Sequence, residues 1–335
     1  MTKIIRVTQD MSVLDEAAQA LKEGKLVAFP TETVYGLGAS AFCEDAVHNT
    51  FAAKGRPQDN PLIVHIADRN MLQTVVESIP EEAELLMQHF WPGPLTMIMK
   101  KADCISHTVT AGLETVAVRM PSHPVALALI QKSGVPVTAP SANRSGSPST
   151  TRAEHVIADL DGRVDYIIDG GASRVGLEST VVDLTGEVPQ ILRPGGISLL
   201  DLQKVLPQTT YEPALKDAKA TPKSPGMKYR HYAPQAELYL IEGEFSKKVP
   251  ALLEEEKKKG RKTGILCRDG QALQADFSIA IGASLEEYAH CLFDALREMD
   301  DLGAEVIFAE LPPTEEGIAA ALKNRLRKAA GGHVL

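Results

Sequence analysis

The amino-acid sequence predicts an α/β protein of two domains, and three observations carry the prediction. Short apolar runs rich in β-branched residues alternate with amphipathic helical patterns through the first two thirds of the chain. Polar residues gather where those apolar runs stop, which is where α/β sheets hold ligands. A proline- and lysine-rich stretch then breaks the pattern, and a second, shorter alternation follows. At 335 residues the chain also exceeds the ~250–300 at which single cores stop growing. Domains are therefore expected over 1–205 and 237–335, joined by an arm over 206–236.

Taken in order, residues 12–23 read as a helix capped by Ser12, with Leu14, Ala17, Ala18 and Leu21 on one stripe and Gly24 at its end. Leu26 to Phe29 is a strand that Pro30 stops, and TETVYGLG follows as a loop of hydroxyls, one carboxylate and glycines. A helix over 46–53 leads into KGRPQDNPLIVH, whose apolar end is a strand over 62–66. Residues 81–90 are helical, and WPGPLTMIMK is a turn feeding a strand, with Trp91 as a packing anchor. ETVAVRM, 114–120, is a strand with Arg119 near its end. A cation there needs an anionic partner, and a structural carboxylate or a substrate carboxylate would serve equally. A helix over 125–132 and a strand over 135–139 run into PSANRSGSPST, where Thr151 and Glu154 match a capping box for a helix from about 152. Tyr166 to Ile168, the start of ESTVVDL and QILRPGG complete the strands, and Ser198 opens a short helix. In the second part, ELYLI, TGILC, FSIAI and EVIFAEL are strands, while 246–259, 284–300 and 315–329 are helices.

Composition excludes several classes of function. A formal charge of −9 and sparse aromatics argue against broad nucleic-acid binding, which needs a basic or stacking surface. Cys43, Cys104, Cys267 and Cys291 are far apart and form no CxxC, which argues against a zinc site or a disulfide framework. No apolar run approaches the ~18 residues of a membrane span. MTKIIRVTQD lacks the apolar core of a signal peptide, so a cytoplasmic protein is expected. No Walker A motif is present, and no Ser/His/Asp triad is evident.

The chemistry-bearing residues cluster. Lys54 and Arg56 place a point charge and a bidentate fork two residues apart, suited to phosphate, with the Asn60 amide beside them. In isolation the same residues describe a solvated basic loop. His65 ends the LIVH run at the rim of a sheet. Ser141 and Asn143 lie in a strand–polar loop–helix arrangement of the kind that holds phosphate, and Arg193 ends a strand before two glycines.

PTETVYGLG, KGRPQDNPLIVH, FWPGPLT, VAVRMPSHP, APSANRSGSPS, ESTVVDL and ILRPGGIS occur in this order, followed by PGMKYRHYAP. Together they closely resemble the YrdC/Sua5 family of threonylcarbamoyl-AMP synthases, in its longer two-domain Sua5 form, with a KxR…SxN signature at Lys54, Arg56, Ser141 and Asn143. The resemblance implies a YrdC-like twisted open sheet around a large cavity, plus a smaller Rossmann-like C-terminal domain. It implies synthesis of threonylcarbamoyl-AMP and pyrophosphate from L-threonine, bicarbonate or CO2 and ATP. That is the first step towards N6-threonylcarbamoyladenosine in tRNA. It implies Lys54 and Arg56 as the catalytic cations and Lys54, Arg56, Asn60, Ser141, Asn143, Ser149, Arg193 and Tyr232 as ATP contacts. Thr33, His65, Arg119 and Ser179 match threonine contacts. Tyr232 belongs to the arm that is expected to close over the site. Mg2+ is expected with the triphosphate, and the product is expected to pass to a downstream tRNA transferase without stable tRNA binding here. The rival classes are an RNA-binding module, which the acidic charge disfavours, and a carbamoyl-phosphate-dependent transferase, whose zinc-finger and acylphosphatase-like segments are missing from the sequence.

Overall fold

The computed structural model describes residues 1–212, 231–268 and 273–335. Of the expected arm, 213–230 lie outside the described residues, and with them Lys216, Lys219, Lys223, Lys228 and Arg230. The chain divides into two compact units. The first takes Met1–Ser145, Thr150–Arg174 and the chain from Glu178 to 212; the second takes Gly146–Ser149, Val175–Leu177 and the chain from 231 onward.

The first unit is one mixed sheet of eleven strands: β1 (Lys3–Arg6), β2 (Val27–Phe29), β3 (Gly36–Ser40), β4 (Ile63–His65), β5 (Leu95–Lys100), β6 (Thr115–Arg119), β7 (Val137–Thr138), β8 (Tyr166–Asp169), β9 (Thr180–Asp183), β10 (Gln190–Arg193) and β11 (Thr210–Tyr211). Their order is β1-β8-β2-β3-β7-β4-β6-β5-β9-β10-β11. The helices are α1 (Asp15–Lys22), α2 (Glu44–Lys54), α3 (Arg69–Val75), α4 (Glu81–Phe90), α5 (His107–Thr110), α6 (Pro124–Ser133), α7 (Ala153–Leu160) and α8 (Leu199–Val205).

Strand alternation decides where these helices pack. Around β2 and β8 both faces are covered. Val27, Phe29 and Ile168 pack with α1 and α6, whereas Ala28 and Ile167 pack with α7. Around β4, β6, β5, β9 and β10 the two faces differ. Val64, Val118, Met97, Val182 and Ile191 enter a large core with residues of α2, α3, α4, α5 and α8. The opposite face carries Ile63, Ala117, Ile98, Val181 and Leu192, a buried apolar strip built from strand residues alone. That second face is the floor of the site described below.

Several local expectations need correction. Asp10, not Ser12, caps the first helical segment: its carboxylate accepts from the Ser12 amide, and a 3-10 turn over Met11–Leu14 precedes α1. The Thr151–Glu154 capping box does not form, because α7 starts from Arg152 with no side-chain cap. Thr151 instead donates its amide to His155 Nδ1. The end of TETVYGLG is not loop: its last three residues open β3, held between β2 and β7. The predicted cap at Ser198 does form, reciprocally with Asp201.

The second unit is a four-stranded parallel sheet, β12 (Glu237–Ile241), β13 (Thr263–Cys267), β14 (Phe277–Ala280) and β15 (Val306–Glu310), in the order β12-β15-β13-β14. Its helices are α9 (Phe245–Lys258), α10 (Leu285–Leu302) and α11 (Ile318–Ala329). The β12-to-β13 and β14-to-β15 connections run in opposite directions across the sheet. Right-handed crossovers then put α9 on one face and α10 on the other, a Rossmann-like layering.

One glycine fixes how closely the strands of the first unit approach. A Cβ on Gly195, just past β10, would stand 2.2 Å from the Thr180 amide nitrogen and 2.4 Å from the Ser179 carbonyl carbon. Backbone cannot yield as a side chain can. Gly195→Ala is expected to lower the unfolding free energy by about 3 kcal/mol. Gly186→Ala, whose Cβ would meet only Val188 O at 3.8 Å, should change it by less than about 0.5 kcal/mol. Urea denaturation of the two variants checks the difference.

Candidate functional site

Polar clusters stand at the two ends of β4. At its start the α2 helix ends in Lys54, and Gly55 at φ 62° turns the chain back in the left-handed cap that glycine favours. Lys54 is 3% exposed. Its ammonium donates to the Ser141 carbonyl and, at 2.5 Å, to the Asn143 carbonyl. Within that loop Ser141 Oγ donates to Asn143 Oδ1 at 2.5 Å. Arg56 Nη2 donates to the Asn60 and Pro61 carbonyls at 3.4 and 3.2 Å. Asn60 is buried, and its Oδ1 accepts no hydrogen bond among the described residues. Lys54, Arg56, Asn60, Ser141 and Asn143 thus form one region, in which Lys54 also clamps the polar loop.

At the other end of β4, the parallel pairing with β6 sets His65 beside Arg119. Arg119 is buried in its strand, and the structure supplies the internal anion. Its Nη2 lies 2.7 Å from Glu32 Oε1, close enough for an ion pair though out of line for a hydrogen bond, with both side chains 4% exposed. Nε donates to the Gly93 carbonyl at 3.2 Å and Nη1 to Thr33 Oγ1 at 2.8 Å. On the neighbouring strands Arg193 donates through Nε to the Ser179 carbonyl at 3.1 Å and through Nη2 to Ser179 Oγ at 3.0 Å. Ser179 Oγ also lies 2.8 Å from Thr96 Oγ1. Thr33, His65, Arg119, Ser179 and Arg193 therefore form the second region. Alternation along β4, β6, β5 and β9 places His65, Arg119, Thr96 and Ser179 on the face that bears the apolar strip.

The hydroxyls have defined polarity. Thr31 Oγ1 is 2.6 Å from the Val34 carbonyl, which only accepts, so the Thr31 proton points there. Thr33 Oγ1, 2.8 Å from Thr31 Oγ1, must then donate to it and accept from Arg119. One lone pair on Thr33 remains, so Thr33 can receive a ligand hydrogen and offers none. Ser179 is the reverse. Thr96 is wholly buried, and Ser179 Oγ is its hydroxyl's only partner among the described residues. A proton left over on Thr96 would have no acceptor, which favours donation from Thr96 to Ser179. Ser179, already accepting from Arg193, then presents its own proton outward.

His65 is buried, and its pKa falls to about 3. Desolvation is the main cause, and the Arg119 charge adds to it. Its Nδ1 lies 3.3 Å from the Ile63 carbonyl and carries the hydrogen, which leaves Nε2 as an acceptor. For Glu32, burial is the largest single effect and raises the pKa, but the Arg119 charge together with hydrogen bonding to the carboxylate outweighs it, and the carboxylate is held below its ordinary range.

Ser149 and Tyr232 fall in the second unit. The Tyr232 ring is buried there, 5.2 Å from the Phe293 ring and 5.6 Å from Arg325 Cζ, in a left-handed backbone conformation at φ 68°. Three site residues were missed in the sequence: Glu32, Thr31 and Thr96. Glu32 was visible as the one carboxylate of a hydroxyl- and glycine-rich loop, but nothing local points it at a cation 87 residues away. Among the described residues no three His, Cys, Asp or Glu side chains cluster as a metal site.

Fold and site define an α/β protein with a cationic, hydroxyl-lined ligand site beside a buried apolar strip built, among the described residues, from strand side chains alone. Comparison with known proteins narrows the class. A family profile described as Sua5/YciO/YrdC, telomere recombination, matches residues 19–195, and one described as the C-terminal domain of threonylcarbamoyl-AMP synthase matches 197–331. A threonylcarbamoyl-AMP synthase of Pyrococcus abyssi is 49% identical, covering 100% of this chain and 99% of its own. One of Bacillus subtilis is 49% identical over 99% and 98%. The crystal structure of P. abyssi Sua5 complexed with L-threonine superimposes with a TM-score of 0.95 at 47% identity, covering 100% of this chain and 99% of that one. The chain belongs to the Sua5/YciO/YrdC family, in the form that also carries the Sua5 C-terminal domain.

The depressed His65 pKa has a pH signature. The unfolded chain takes up the imidazole proton near pH 6.5, while the folded chain does so only near 3. The folded state therefore loses stability as pH falls through that window, by up to ~1.4 kcal/mol per pH unit, and keeps the full contribution above it. Unfolding free energies at pH 7 and 5 should differ by about 2 kcal/mol more in the wild type than in His65→Asn.

Proposed function

We propose that the chain is an L-threonylcarbamoyladenylate synthase, a nucleotidyltransferase that joins threonine, bicarbonate or CO2 and ATP. The observation that carries this reading is the pairing, at the two ends of β4, of a guanidinium–hydroxyl region with a cation region. From Asn60 to His65 the chain spans at most ~17 Å, about the reach of an amino acid joined to a nucleotide. The naming of relatives that align over the whole chain supports it.

Threonine offers one anion and several hydrogens, and the second region has counterparts for both. Arg119 and Ser179 donate, which suits the carboxylate or carbamate oxygens. Thr33 Oγ1 and His65 Nε2 accept, which suits the hydroxyl or the amine. With its pKa near 3, His65 is a weak base at neutral pH and serves to orient. The neighbouring apolar strip, with Ile63 and Ala117 two residues from His65 and Arg119, provides contact for the methyl that separates threonine from serine. A methyl is worth only ~1–3 kcal/mol, so serine should be disfavoured rather than excluded.

The reaction has two bond-forming steps. The threonine amine adds to CO2, giving a carbamate and releasing a proton. A carbamate oxygen then attacks the α-phosphorus of ATP, and pyrophosphate leaves. Nucleophile and leaving group are both anions, so the protein's task is positioning and charge stabilisation. Lys54 and Arg56 would neutralise the phosphates, with Asn60, Ser141 and Asn143 as neutral hydrogen-bonding partners. Arg193, which belongs to the second region through its bonds to Ser179, remains a proposed ATP contact. The donor set on this face is cationic and hydroxylic and does not suit a protein-held metal; Mg2+ would enter as the counter-ion of the triphosphate substrate. Ser149 and Tyr232 remain proposed ATP contacts. Widely spaced cysteines suit a reducing cytoplasm, where the product would pass to a tRNA-modifying transferase.

Formation of labelled threonylcarbamoyl-AMP from threonine, bicarbonate and MgATP tests the reading. The wild type should form it, and Lys54→Ala or Arg56→Ala should lower kcat/KM by at least ~100-fold. A folded wild type that forms no product would overturn the proposal. A fully active Lys54→Ala variant would overturn the site assignment.

A further inference from the structure

Glu32 is a buried carboxylate of the second region to which the proposed reaction gives no task. It is 3% exposed and lies on the loop after β2, adjacent in sequence to Thr33. Its Oε1 faces Arg119 Nη2 at 2.7 Å. A guanidinium has five N–H groups in a rigid plane. Here Nε donates to the Gly93 carbonyl and Nη1 to Thr33 Oγ1, while Nη2 faces Glu32 as an ion pair without a hydrogen bond. Two hydrogen bonds and the facing carboxylate fix the plane, and N–H groups of the two terminal nitrogens are left to turn towards a ligand.

We propose that Glu32 is a positioning residue for the substrate carboxylate. It locks the Arg119 fork in its receiving orientation and, as a second carboxylate on the same guanidinium, moderates the grip of that fork on the substrate. The inference rests on threonine being the ligand of this region. It combines two opposing effects. Removal of the side chain frees the fork and weakens binding, because an unordered arginine must be immobilised again for each ligand. Removal of the charge alone, with the shape kept, leaves Arg119 without its internal anion and strengthens the pull on an incoming carboxylate. The internal anion thus trades affinity for a site that is stable when empty and releases its ligand readily. Burial of an unpaired guanidinium would otherwise destabilise the empty protein.

The test is calorimetric binding of L-threonine and, separately, of MgATP to the full chain. Glu32→Gln keeps an acceptor oxygen towards Nη2 and is expected to bind threonine roughly tenfold more tightly than the wild type. Glu32→Ala is expected to bind it at least roughly tenfold more weakly. MgATP affinity should stay within about twofold in both. A purely structural role would weaken both variants alike or leave both unchanged, and either result overturns the proposal. Should Glu32→Ala fail to fold, the sign of the Glu32→Gln shift decides alone: tighter supports the proposal, and equal or weaker overturns it. A wild type that takes up no threonine overturns the underlying reading and the proposal with it.

Discussion

The buried guanidinium of Arg119 is the constraint around which the first unit is arranged. A permanent cation inside an apolar strand is tolerated only with its charge and hydrogen bonds met. Meeting them draws on three distant parts of the chain: the Thr31–Thr33 loop after β2, the Gly93 turn before β5, and β6 itself. The same loop continues to the other region, where the Tyr35 carbonyl accepts from the Ala142 amide at 2.8 Å and Gly36 bridges Ser141. One segment therefore sets the spacing of both polar regions. The short β4 is the rod between them.

The layering explains why a site exists on this face. Five strands bury one face under helices and leave the other with a thin apolar strip and a rim of polar side chains. Arg119, Ser179, Thr96 and Arg193 lie together because β5 and β9 run parallel to each other and antiparallel to β6 and β10 on either side, so that two strand starts and two strand ends meet at one edge. Parallel pairing of β4 with β6 adds His65 at the same level.

Much of this was legible in the sequence. Strands such as 62–66 and 114–120 show as compact apolar runs, and the residues at their ends were recognisable as chemically unusual for those places. Ordered motifs identified the family, which the comparisons confirm. What the sequence withheld is pairwise. Arg119 demanded an anion, but a structural and a substrate carboxylate satisfied that demand equally until Glu32 was seen beside it. Lys54 read as a phosphate cation, whereas its ammonium also holds two carbonyls of a loop almost ninety residues on. Thr96 looked like one more β-branched strand residue, because a hydroxyl's partner depends on which strand lies next to it. Ser12 failed as a cap because the helical segment starts earlier, with Asp10 accepting from the Ser12 amide and the Ser12 hydroxyl donating to the same carboxylate.

The fixed direction of the Thr33 and Ser179 protons has a consequence for molecular mimicry. Such a site reads the location of a ligand's hydrogens as well as its outline. A compound of the same outline with a methoxy group where a hydroxyl should be would set oxygen against oxygen at Thr33. One with a capped carboxylate would lose the charge that draws the Ser179 proton and the Arg119 fork. Imitators of the natural ligand must therefore copy its hydrogen-bond polarity atom by atom, and shape alone will not gain entry.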